Sequence, residues 1–341
     1  MWRDLLENAS YTSVDARDAA DDRDEDLLIV VSKLAFRFDS SGRLKVVARP
    51  VRKDDVPDGA GGMRYPSDFS LPFRGTECAV VGTAHPSRAP AESKVVSFAI
   101  GSVEKSVRLF GPRVYMKTPA GVRPGPSANV VSTPLRFEHC WGGHAGADHV
   151  AENPVGKGFA SDPTRLVGTE AHRLEPVSPL LHASAGCFAP IDASWAPRCD
   201  LAGTFDESWR RERAPGAPAD RDDSYHSSVR PEQRSRAPLT LPLPIRLRGF
   251  GGDDEADLLV PAYGIHVVSE LHRGTGEAHD APLTRVIVDV DARVVELAFV
   301  AHVPLPMKWA KLRAVRVLAR GSLPDEVKPG PTSTYARENS L

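Results

Sequence analysis

The densest concentration of reactive side chains in the chain is His139–His149, HCWGGHAGADH, with three histidines and one cysteine in eleven residues. Cys140, His144 and His149 offer the nitrogen and sulfur donors that zinc prefers. Their spacing matches no familiar zinc pattern and no fourth ligand follows nearby, so the stretch reads first as a glycine turn beside a buried Trp141. His182-Ala183-Ser184-Ala185-Gly186 has the outline of a nucleophile elbow, but histidine replaces the leading glycine and no strand precedes it to present the serine. Asn153–Phe159, NPVGKGF, lacks the glycine spacing and the Ser/Thr of a phosphate loop, and reads as a surface turn. Asp206 and Glu207 are adjacent carboxylates, whereas a glycosidase needs two that face each other across a sugar. Nothing assembles nucleophile, base and oxyanion donor, so the expectation is a protein without catalytic residues, metal or cofactor.

The elements that position these groups begin with Leu201–Gln233. Thr204 and Glu207 have the spacing of a capping box. Phe205 and Trp209 then share one face of a short helix, with Asp206 to Arg210 and Glu207 to Arg211 as ion pairs four residues apart. Arg210, Arg211 and Arg213 make a basic cluster open to three uses: helix ion pairing, a partner-facing patch or anion binding. Pro215 ends the run, because the residue before a proline is pushed out of the α region. Such a short helix is marginal alone, so Trp209 must dock it on the core or on a partner.

The chain has 341 residues, 41% of them hydrophobic, with 27 glycines and 30 prolines. That Gly and Pro share disfavours long helices and favours a loop-rich, strand-based fold. The net charge of −2, from 43 basic and 45 acidic residues, gives no electrostatic footprint for general nucleic-acid binding. Cys78, Cys140, Cys187 and Cys199 are too sparse for a disulfide scaffold and suit a reducing compartment. Neither an export signal nor an apolar run of membrane-spanning length is present, and the expected location is the cytoplasm.

Residues 1–26, with the acidic run DARDAADDRDED, read as a flexible lead-in. Residues 27–320 read as a single composite domain and 321–341 as a polar tail. Leu27–Phe38 begins as a continuous apolar run and then alternates, as a strand passing from buried to half-buried surroundings would. Leu44–Ala48 is its hairpin partner. Further strands are expected at Cys78–Ala84, Lys94–Ile100, Val103–Phe110, Val286–Val290, Val294–Val303 and Leu312–Leu318. Gly101-Ser102 and Asp291-Ala292 turn two hairpins. Between Gly111 and Pro238 convincing strands are few, and a structureless loop of that length is unusual in a domain. An ordered, irregular layer anchored by Trp141, Trp195 and Trp209 is the consistent alternative. The expected architecture is mainly β: sandwich-like antiparallel sheets, a long irregular central layer and one or two short helices.

The order of several segments carries further information. Lys33-Leu34-Ala35-Phe36 is followed by Arg64-Tyr65-Pro66-Ser67-Asp68, Val81-Gly82-Thr83-Ala84, Val103-Glu104-Lys105 and Leu109-Phe110-Gly111. Then come Pro134-Leu135-Arg136-Phe137-Glu138, Trp141-Gly142-Gly143 and Asn153 to Phe159. The series closes on Gly203-Thr204-Phe205-Asp206 with Trp209, Arg213, Pro215, Pro218 and Asp220. From about Leu27 to Pro324 it resembles domain-of-unknown-function family 2169, bacterial proteins encoded beside type VI secretion spike genes. The resemblance implies a non-catalytic adaptor or chaperone that loads a toxic effector onto the spike. The implied partners are the spike trimer or its tip protein and a cognate effector. After Asp220 the family pattern is kept only at Asp222, Tyr225, Pro231 and Gln233, so residues 221–236 are where partner specificity is expected to differ. The alternatives from other classes are a zinc or hydrolytic enzyme centred on Cys140, His144 and His149, and a glycan-binding β-sandwich using Trp141 or Trp195 as a stacking platform.

Overall fold

Asp26–Phe38 is a thirteen-residue strand in which every residue from Leu27 to Phe36 is buried, and that pattern fixes the layering around it. Alternate side chains of a strand leave on opposite faces, so unbroken burial needs cover on both. Leu28, Val30, Leu34 and Phe36 enter the main core, while Leu27, Ile29 and Val31 pack on the other face against Val51, Phe69 and Leu71. The computed structural model describes residues 6–9, 12–22, 25–177, 185–251, 255–272, 276–305, 312–321 and 323.

Three sheets share the main core. The first runs Ser13–Ala20, Asp26–Phe38, Val294–Pro304, Leu283–Asp289, Glu77–Val81, with Leu44–Val46 paired to the end of Asp26–Phe38. The second runs Leu174–Pro176, Val103–Phe110, Ser93–Ile100, Leu243–Arg248, Ala256–Val260, and the third Leu6–Ala9, Leu312–Arg320, Gly264–Leu271, Glu277–Ala281. Val30, Phe98, Ile245 and Val317 from these sheets belong to one hydrophobic cluster. Pairing is mostly antiparallel, with Glu77–Val81 parallel to Leu283–Asp289 and Leu6–Ala9 parallel to Leu312–Arg320. The protein is therefore mainly β and sandwich-like, with one short α-helix among the described residues.

Both expected hairpins form. Val103 pairs with Ile100 across a turn in which Gly101 adopts φ +56°, and Asp289 pairs with Val294 across Asp291-Ala292. Leu312–Arg320 is a strand. The acidic lead-in is corrected: Ser13–Ala20 pairs along its whole length with Asp26–Lys33, and Ser13 to Ala16 are buried. Its charges are those of an edge strand, where they discourage pairing with another chain. Gly264–Leu271 and Glu277–Ala281, together with Leu243–Arg248 and Ala256–Val260, are strands additional to those expected from the sequence. Of the polar tail, only Gly321 and Leu323 belong to the described residues.

The outer face of the first sheet carries buried charge. Lys33 Nζ lies 2.7 Å from Asp68 Oδ2 and 3.0 Å from Glu296 Oε2, and Arg52 reaches Glu296 at 2.6 Å. Beside them Glu77, wholly buried, accepts from Arg285 Nε at 2.6 Å and from Ser228 Oγ at 3.1 Å. Paired in this way, the charges avoid the large desolvation cost of isolated buried ions.

Candidate functional site

Residues 203–220 form a projecting loop–helix–loop, closed at its neck by one carboxylate. Asp220 accepts from the Thr204 amide at 2.9 Å and from its hydroxyl at 2.7 Å. Those two hydrogen bonds, the backbone one first, hold the Asp220 carboxyl below its ordinary value. Gly203 makes the closure possible. Its φ is +85°, and a Cβ there would meet Pro218 Cβ at 2.7 Å and Asp220 Oδ1 at 2.9 Å, so any larger residue meets both strain and collision.

The capping box is corrected. Because Thr204 is engaged by Asp220, the helix Glu207–Glu212 is capped by Asp206, whose Oδ1 accepts from the Trp209 amide at 2.8 Å. The ion pairs shift as well. Arg210 meets Glu207 and Arg211 meets its neighbour Glu212, each at 2.8 Å, and all four groups are well exposed. Pairs of this kind contribute little to stability, which leaves Arg210 and Arg211 as surface groups.

Phe205 lies before the N-cap, outside the helix, yet its ring meets that of Trp209, with centroids 4.8 Å apart at 78°. Trp209 is half-buried and its indole donates to the Gly216 carbonyl at 2.8 Å. Phe205 remains 52% exposed. Arg213 donates to the carbonyl of Ala217 at 2.7 Å and to that of Asp22 at 3.0 Å, so it is structural. Thr204, Asp206, Trp209, Glu212, Arg213 and Asp220 line a concavity of about 370 Å³ in this projection.

Asp22, in the turn between Ser13–Ala20 and Asp26–Phe38, is the fixing point. Its carboxylate meets Arg221 at 3.1 Å and His226 at 2.6 Å, while its carbonyl takes Arg213. Arg221 in turn lies over the Tyr225 ring at 4.8 Å, and Arg198 donates to the Tyr225 carbonyl at 3.1 Å. Gln233 is wholly buried. Its Nε2 donates to the carbonyls of Cys78 at 3.1 Å and Phe188 at 2.8 Å, and its Oε1 accepts from Lys105 at 2.6 Å. Gln233 is thus a strut of the core and not a partner contact, a correction that follows from burial alone. Pro215 is exposed and Tyr225 half-buried.

The remaining candidate chemistry separates. Cys140 is fully buried, while His144 and His149 are exposed and face each other across a two-residue pairing. Among the described residues no group of three His, Cys, Asp or Glu side chains could hold a metal ion. Trp141 is half-buried, not buried as expected, and Trp195 is buried edge-on against Phe137 at 5.3 Å, which removes Trp195 as a stacking platform. Asn153 is also buried, donating to the carbonyls of Phe137 at 3.0 Å and Trp141 at 2.8 Å. Within NPVGKGF, Asn153 thus braces the turn from inside, while Pro154 to Phe159 are half-buried. His182 and Ser184 lie outside the described residues.

One constellation escaped the sequence reading. Tyr115 Oη is 2.7 Å from His172 Nδ1, His172 Nε2 is 3.0 Å from Glu175 Oε1, and Arg113 also binds Glu175. Burial raises the Tyr115 hydroxyl to about 12. Burial would raise Glu175 too, but the His172 hydrogen bond and the Arg113 guanidinium outweigh it and hold the carboxyl at about 2. Tyr115 and His172 are each 4% exposed, so a substrate has no approach to the relay. No spacing signal could have found it, since Arg113 and Tyr115 are far in sequence from His172 and Glu175.

The chain belongs to the bacterial family described as "Uncharacterized protein conserved in bacteria (DUF2169)", whose match covers residues 23–299. No curated protein and no solved structure matches it. No helix among the described residues is long and apolar enough to cross a membrane.

Proposed function

We propose that this member of the family is a non-catalytic adaptor, which loads a toxic effector onto the type VI secretion spike and meets a partner through the Gly203–Asp220 projection. The observation that carries the reading is Phe205: a large aromatic ring half exposed on a projection that Arg213 fastens to the Asp22 turn of the first sheet. Aromatic and arginine side chains dominate the energetics of protein interfaces, and Phe205 stands beside Trp209, Arg210 and Arg211. A fastened projection also loses little conformational freedom on binding. The spike and the effector as partners come from the resemblance in segment order. The spike trimer or its tip protein would take one face of the adaptor and the effector another.

Affinity capture from the native host under secretion-active conditions tests the reading. Wild type is expected to retain a spike component and a neighbouring effector, and Phe205→Ala to lose at least one of them while remaining folded. Recovery of neither by wild type would refute the adaptor role.

A further inference from the structure

On the face of the first sheet turned away from the main core, beside the edge strand Ser13–Ala20, lies a concavity of about 370 Å³. That volume is in the range of clefts that hold small organic molecules. Five separate stretches of chain border it, and each brings a basic side chain: Arg17, Lys53, Arg198, His226 and Arg285. Phe69 and Leu71 form an apolar wall, packed on the outer cluster that contains Ile29 and Val51.

Three of the five basic groups already have acidic partners. Arg285 meets Glu77 at 2.6 Å, His226 meets Asp22 at 2.6 Å, and Lys53 lies 3.9 Å from Asp15. Arg17 and Arg198 differ, for neither has a carboxylate partner among the described residues. Arg198 is the more informative. Its Nε donates to the Tyr225 carbonyl at 3.1 Å and its Nη1 to the Ile191 carbonyl at 2.8 Å. The side chain is thus clamped, while Nη2 donates to no protein group among the described residues. Burial is the largest influence on this guanidinium and lowers it from its ordinary value, since Glu77, Asp55 and Asp192 oppose the shift only from beyond ion-pair distance. A clamped, partly desolvated guanidinium with a nitrogen to spare makes strong charge-assisted hydrogen bonds to oxyanions. The two acids of the lining, Asp54 and Asp55, are exposed, and Asp55 accepts from the Ser67 amide at 2.7 Å.

We infer that this concavity is a binding site for a small organic phosphate, with Arg198 and Arg17 on the phosphate group and Phe69 and Leu71 against the organic part. The cations approach one space from separate stretches of chain, and that arrangement favours phosphate over carboxylate. A phosphate monoester offers three acceptor oxygens and a charge of about −1.5 to −2 at pH 7, whereas a planar carboxylate is satisfied by a single guanidinium fork. The apolar wall favours an ester over inorganic phosphate. Bound there, the ligand would join the edge strand at Arg17 to the irregular layer at Arg198.

The full chain is titrated with phenyl phosphate by calorimetry at fixed ionic strength. One molecule per chain is expected to bind, more tightly than inorganic phosphate or benzoate does. Arg198→Gln should weaken binding about tenfold or more, as the loss of a hydrogen bond to a charged group does. Arg17→Gln should weaken it about twofold to fivefold, as the loss of an exposed pair does. Arg246→Gln, which alters an exposed arginine of the second sheet, should bind as wild type does. Phenyl phosphate should also slow the modification of Arg17 and Arg198 by phenylglyoxal severalfold, with the sites located by mass, and leave Arg246 reacting at its original rate. The inference is overturned if wild type shows no saturable binding, or if Arg246→Gln weakens it as much as Arg198→Gln. Benzoate binding as tightly as phenyl phosphate would overturn the choice of phosphate. Where Arg198→Gln fails to fold, the protection measured on wild type decides, together with Arg17→Gln, whose side chain has no partner to lose among the described residues. None of these readouts depends on a binding partner, so their failure would leave the adaptor reading standing.

Discussion

The side chains of Lys105 and Gln233 meet at 2.6 Å inside the protein, joining an edge of the second sheet to the irregular layer lying across the first. Gln233 satisfies three buried groups at once, because its amide also serves the carbonyls of Cys78 and Phe188. Replacing Gln233 by Leu keeps the volume and removes every one of these bonds. Leaving buried polar groups unpaired costs on the order of 2–4 kcal/mol, so the urea midpoint of Gln233→Leu should fall clearly while the cooperativity of unfolding persists. An unchanged midpoint would show that water replaces the amide at no cost.

Lys33→Met tests the charge cluster under the 49–71 segment. It strands Asp68 and Glu296 in the interior with only the arginines to compensate them. Breaking one partner of a buried ion set typically costs about 3–5 kcal/mol. A midpoint shift of that order is expected in chemical denaturation, whereas Arg210→Ala, which removes an exposed pair, should leave the midpoint within about 0.5 kcal/mol of wild type.

The projection should respond to Asp206 and Thr204 locally. Asp206→Ala removes the helix cap and Thr204→Val one bond of the neck, each worth about 1 kcal/mol. Hydrogen exchange should therefore accelerate severalfold between residues 203 and 220 and remain at the wild-type rate in Asp26–Phe38. Acceleration spread over the sheets would mean that the projection and the core unfold together.

Acid should destabilise the fold in two stages. Burial, aided by Lys157 and Arg173, lowers His139 from 6.5 to about 4, so the unfolded chain binds the extra proton first. The stability tied to His139 is complete above pH 6.5 and is lost as pH falls towards 4. Glu175, depressed from 4.5 to about 2, adds a second loss over that lower interval. His139→Gln should flatten the first stage, measured as the urea midpoint against pH. A wild-type slope in that variant would place the proton elsewhere.

What the sequence shows best is whatever repeats at the period of a strand. Val103–Phe110 and Val294–Val303 were legible because their alternation or unbroken apolar character answers directly to the faces they bury. Ser13–Ala20 was hidden because an edge strand needs few apolar residues: one face and one rim suffice, and its charges resemble those of a solvated tail. The cap was misplaced because Thr204 and Asp206 have similar capping chemistry, and only the distant Asp220 decides between them. Gln233 and the Tyr115–His172–Glu175 relay were out of reach for the same reason, since Lys105, Cys78 and Phe188 are distant from Gln233 in sequence and Tyr115 is distant from His172. Of the projection, the pairing of Phe205 with Trp209 was visible from spacing alone, and its fastening to Asp22 was not.

That fastening sets a load path. Arg213, Arg221 and His226 all terminate on Asp22, and Asp22 stands in the turn leading into Asp26–Phe38, the longest strand among the described residues. Load that Arg213, Arg221 and His226 pass into Asp22 thus reaches a strand that is hydrogen-bonded along both flanks. A strand loaded along its axis must shear many hydrogen bonds together, whereas one peeled from an edge gives them up singly. Strain entering at Asp22 is therefore shared by many backbone hydrogen bonds of the first sheet at once.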